Sequence, residues 1–306
     1  QAITTTGIKA LTADQVGALT TAQASQLTTA QVNALSATQL QAISTAALSK
    51  MTDSQIQAIT TAGVKGLLAD QISNLTTTQL AALTTTQTAA LSAAQVESLT
   101  TAQVSGLTEA QVTAMTSTQI KAIETADFAK LSAAQLQAIT TANVAKLTAD
   151  QLASLTTAQV SKLTEVQVGA LTASQVQSIE TADLQKLTDS QVAALSTSAV
   201  KGMLAEQVSS LTAAQVAALT TAQVSVLTAG QVEAFTTAQI SELTETQIAA
   251  MSTAQIKSIE TTDVQKLTAA QLQAITTAGV KAMTADQITA LTTAQISELT
   301  DTQAAV

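Results

Sequence analysis

Aliphatic side chains recur along this chain in pairs five residues apart, and the pairs repeat every eight residues. Cut from Ile3, the sequence falls into 38 octads with no insertion or deletion and ends at Val306, with Gln1 and Ala2 left over as the tail of a preceding octad. Position 1 is Leu, Ile, Met or Phe in every octad, and position 6 is Val, Ile, Leu or Phe in 35, the exceptions being Ala24, Thr88 and Ala304. The polar positions are as regular: position 2 is Thr or Ser in 33 octads and position 5 is Gln in 29, around a consensus L-T-T-A-Q-V-x-A.

This pattern spells a helix start. In residues 211–218, LTAAQVAA, Thr212 at the N-cap can accept from the backbone N–H of Gln215 at N3. The Gln215 side chain can in turn accept from the N–H of Thr212, completing a capping box. Leu211 and Val216 then occupy the two positions of a hydrophobic staple. About one and a half turns remain before the next start. One continuous helix fits poorly, because eight residues advance roughly 80° past two whole turns and the Leu row would wander around the surface. A flat strand puts positions 1 and 6 on opposite faces. A β-solenoid with corners is the alternative, although it would normally use more Gly, Asn and β-branched residues. The predicted fold is therefore all-α: a solenoid of very short helices, one per octad. Such helices are unstable alone because nucleation is unfavourable. Burial of aliphatic side chains at about 1.5–3 kcal/mol each against ordering entropy leaves each octad near balance, so stability must come from stacked neighbours. Residues 1–306 are expected to form a single continuous array, an excerpt of a longer one.

A slower rhythm runs through the array. Nine octads replace the Gln with Gly7, Ala47, Gly63, Asp127, Asn143, Asp183, Ala199, Asp263 or Gly279. Eight of these nine begin with Ile, which stands at position 1 nowhere else. Each also holds one lysine: Lys9, Lys50, Lys65, Lys130, Lys146, Lys186, Lys201, Lys266 and Lys281. Similar members are spaced 7 and 10 octads apart, giving a 17-octad superperiod; residues 131–150 recur in close form at 267–286, and Leu68 and Leu204 replace the cap Thr at equivalent places. A coil of 17/5, about 3.4 octads or about 27 residues, brings 7 octads near two turns and 10 near three. Equivalent octads then lie on one side of a rod, on the order of 100 Å long if layers are spaced like packed helices. The nine lysines form candidate assembly stripes, able to face acidic positions such as Glu233, Glu242 or Glu298 of a neighbouring rod. Segment duplication is a competing origin for the 17-octad period.

Composition narrows the chemistry. The chain has no Cys, His, Trp, Tyr, Pro or Arg and a net charge of −9. Disulfides, thiolate metal sites and His-based nucleophilic dyads are thereby excluded, no cofactor is expected, and the protein does not read as an enzyme. The acidic balance argues against nucleic-acid partners, and no apolar run approaches the length of a membrane span. Glu124 with Asp127, Glu180 with Asp183 and Glu260 with Asp263 read as variant caps, acids at N-cap and N3 near the positive end of a helix, and not as calcium loops. Phe128 and Phe235 occupy core positions.

The Cys-free, acidic array, rich in Thr, Ala, Gln and Leu, resembles the repeat regions of very large secreted or surface-displayed bacterial proteins, including adhesin-like ones. That resemblance implies export and a spacer or fibre role. The expected function is structural: a rod or filament at the cell surface or outside the cell, self-associating end to end or laterally, whose partner is itself. The alternative is a lattice-binding or glycan-binding module that presents regular Thr and Gln rows to ice or a surface polysaccharide.

Overall fold

The computed structural model describes residues 3–306. Every octad opens its own helix. Among the described residues there are 38 helices of four to six residues and no strand, which removes the β-solenoid alternative.

The predicted caps form as drawn. Gln215 N–H donates to Thr212 Oγ1 at 3.1 Å and Thr212 N–H donates to Gln215 Oε1 at 2.8 Å. The same reciprocal pair recurs in both halves of the chain, for example at Thr12 with Gln15 and at Thr292 with Gln295. All N-caps are extended, with φ between −57° and −80°. Helices end without a left-handed residue: no described residue has positive φ. The position-1 N–H instead closes a tight last turn, as Leu219 does onto Val216 C=O at 3.1 Å. Two consecutive extended residues then redirect the chain, for example Leu195 (φ −54°, ψ 139°) and Ser196 (φ −66°, ψ 151°). This bend needs neither Gly nor Pro, which is why a chain with a turn every eight residues contains so little of either.

Contacts divide the chain into two compact units, Gln1–Leu155 and Thr156–Val306. In each, a helix packs on the helix three octads further along. In the first unit Ala13–Gly17 lies on Ala37–Ala42, and in the second Ala213–Ala217 lies on Thr237–Glu242. Within each unit most position-6 residues, Val32 and Val216 among them, are fully buried and most position-1 residues nearly so, sharing one core; the exceptions lie toward the chain ends, where Ile3, Ile288 and Ile296 are exposed.

The layers are joined by the same glutamine that starts each helix. Gln215 Nε2 donates to Leu184 C=O at 2.9 Å and to Leu187 C=O at 2.7 Å, 31 and 28 residues earlier. In the first unit Gln71 Nε2 does the same to Leu40 and Ile43 C=O at 3.0 and 2.7 Å. The acceptors lie at helix C-termini: the position-1 carbonyl follows the last helical turn, and the position-6 carbonyl takes the glutamine as a second donor beside the position-1 N–H, as Leu184 C=O does beside Leu187 N–H at 3.2 Å. One carboxamide therefore satisfies a donor at the start of one helix and acceptors at the end of another, one layer back.

Candidate functional site

All nine lysines of the special octads are exposed, as are Lys121, Lys162 and Lys257. Their place in the octad sets the local helix. Where lysine stands at position 7, as for Lys9, Lys65, Lys201 and Lys281, the helix runs six residues. Where it stands at position 8, as for Lys50, Lys130, Lys146, Lys186 and Lys266, the helix stops after four. The alanine usual at position 8, such as Ala42 or Ala218, is half-buried. A lysine there must keep its ammonium in water, and its N–H closes a three-residue turn, as Lys130 does onto Asp127 C=O at 2.9 Å. No two of the nine lie on helices that pack directly on one another within either unit. Direct contact therefore does not gather the lysines; any stripe is a property of the coil's pitch.

The residues that replace Gln at position 5 are buried in most of these octads and make different ties. Asn143 Nδ2 reaches Met115 C=O at 2.8 Å, 28 residues back, a shortened version of the glutamine bond. Asp127 and Asp263 cannot donate as carboxylates. They accept from Thr101 Oγ1 and Thr237 Oγ1 on the neighbouring layer at 2.5 and 2.6 Å. The N-cap acids Glu124, Glu180 and Glu260 make no side-chain cap bond, so of each acid pair the cap member contributes only its charge. Among the described residues no group of three or more acidic side chains is placed to hold a metal, and no helix is long and apolar enough to cross a membrane. Phe128 and Phe235 are buried in the core.

Two features escaped the sequence reading. The inter-layer bond of Gln was one; its signal is that position 5 holds Gln 29 times and Glu never, although a capping box accepts either. The other is the exposure of Leu68 and Leu204, 52 % and 42 % accessible at N-cap positions where neither makes a side-chain cap bond.

The ALTTAQ repeat matches residues 1–29, 120–157, 176–213 and 256–293. The last three ALTTAQ matches begin 7 and then 10 octads apart, and each contains one Asp octad and the Asn, Ala or Gly octad two further on. Matches at four places along the chain support a tandem repeat region. No curated protein matches it.

Proposed function

We propose that the chain is a structural repeat module that builds a rod or filament at the cell surface or outside the cell and associates with copies of itself. The carrying observation is the glutamine tie. Each layer within a unit is bonded to the one before it in one register, by carbonyls every octad supplies and a glutamine that 29 of the 38 supply, so layers can be added without a change of chemistry. A coil of about 3.4 octads is supported by side chains that touch across layers at separations of 25, 28 and 31 residues, as in Gln57 to Ala82, Gln215 to Leu187 and Gln215 to Leu184. A place outside the cell rests on the resemblance to repeat regions of large secreted bacterial proteins. The cap hydroxyls are already engaged by helix N–H groups, which favours the structural reading over lattice binding. Electron microscopy of the purified protein is the test. Filaments of uniform width and indefinite length are expected; compact particles with no long axis would overturn the rod, and separate short rods at all concentrations would overturn self-association.

A further inference from the structure

Leu68 and Leu204 occupy the N-cap position, where the usual Thr or Ser hydroxyl accepts from the N3 backbone N–H. Both helices, Ala69–Ser73 and Ala205–Ser210, keep only half of the box: Leu68 N–H donates to Gln71 Oε1 at 2.9 Å and Leu204 N–H to Gln207 Oε1 at 3.0 Å. Losing a Ser or Thr cap costs about 0.5–2 kcal/mol, and each leucine keeps about half of its surface in water, 52 % for Leu68 and 42 % for Leu204. Exposed Val166, by contrast, sits at an ordinary helix-surface position and displaces no cap. Both leucines have the same neighbours, an exposed lysine three residues before and an exposed acid two residues after: Lys65–Leu68–Asp70 and Lys201–Leu204–Glu206. Leu204 and Glu206 border a surface groove whose other walls include Gln177, Glu180 and Thr181. The two sets stand 17 octads apart and fall one in each compact unit.

We infer that Leu68 and Leu204 are the centres of two self-association patches, and that the occupant of each is the same kind of patch on a second copy of this chain. The inference rests on the self-association reading and names its surface. The order cation, leucine, anion is self-complementary under a two-fold axis through the leucine: the two leucines meet, and the lysine of each copy faces the acid of the other, as an isologous contact requires. In the second unit Glu180 adds a further carboxylate for the incoming lysine. Each patch is small and rimmed by screened charges, so each contributes a modest, salt-sensitive share of the affinity.

The leucines can be tested without risk to folding, because Leu68→Thr and Leu204→Thr restore the consensus cap. Sedimentation velocity is followed across protein concentration for the wild type, both single variants and the double variant, with urea unfolding alongside. The wild type is expected to associate reversibly, each single variant to bind about tenfold or more weakly, and the double variant to sediment as the monomer while unfolding at higher urea. Lys65→Glu with Lys201→Glu should also weaken association. Adding Asp70→Lys and Glu206→Lys should restore it, because the reversed order is again self-complementary. Association of the double threonine variant equal to wild type overturns the patches. If both proteins then form the same end-to-end filaments, the structural reading stands and only the patches fall; a wild type that stays monomeric throughout removes both.

Discussion

At the scale of single residues, the fold is organised by a carboxamide used at both ends. Gln215 accepts at Oε1 from the helix it starts and donates at Nε2 to carbonyls of a helix one layer earlier. Replacing it with Glu keeps the acceptor, removes both donors and sets a carboxylate against two carbonyls in a site only 1 % exposed. Gln215→Glu is therefore expected to cost about 2–4 kcal/mol, read as a lower urea midpoint together with loss of amide protection in Thr181–Leu184 and Ala213–Ala217. A drop no larger than that of an ordinary cap mutant would mean that the inter-layer bonds contribute nothing. Asp127 gives the opposite sign. Asn143, at the same position, donates to Met115 C=O, so Asp127→Asn is expected to add that bond while its Oδ1 still accepts from Thr101. A gain of about 0.5–1.5 kcal/mol follows, and calorimetry checks it. The cap half of the glutamine's role was legible because its partner lies three residues away. The other half was not, because its partners lie 28 to 31 residues away and only the coil brings them near.

At the scale of the helix, the octad encodes start, length and stop with different clarity. Starts were legible at nearly every octad because Thr, Gln and the flanking aliphatic pair agree. Lengths were not, since they depend on whether the position-8 side chain tucks between layers or stays in water, and that boundary exists only once layers are stacked. Glycines probe the same spacing. A Cβ on Gly66 would stand 2.6 Å from Ala37 Cβ, and one on Gly202 would stand 2.5 Å from Ala173 Cβ, both rigid backbone-attached atoms. Gly66→Ala and Gly202→Ala must push layers apart and are expected to destabilise by about 1–3 kcal/mol. Gly230, inside Ala229–Glu233, has nothing within 4 Å of such a Cβ. Gly230→Ala should stabilise by about 0.5–1 kcal/mol, through helix propensity and a less flexible unfolded chain. Denaturant unfolding of the three variants orders them, and a stabilised Gly66→Ala would show that the layers are looser than they stand.

At the scale of the whole chain, the bonding rule depends on octad count and hardly on octad identity. Each Gln looks for a position-6 carbonyl four octads back and a position-1 carbonyl three octads back, and every octad offers both. The rule predicts how the molecule responds to deletion. Without residues 211–218, Gln223 no longer faces Val192 and Leu195, its present acceptors. It moves instead to Leu184 and Leu187, the acceptors that Gln215 has left. Every later glutamine finds an equivalent partner in the same way. Loss of one octad should therefore leave helicity per residue unchanged and lower stability only by the share of one octad out of 38. Removing residues 215–218 alone takes half that length yet breaks the register: Thr212 loses its N3 partner, and the Leu and Val rows are interrupted at one point. The half-octad deletion should unfold locally and show the larger loss of helical circular dichroism despite being the smaller lesion. Equal losses per residue removed would mean that stability is local to each helix, and the layered bonding that makes the array extensible would have no energetic basis.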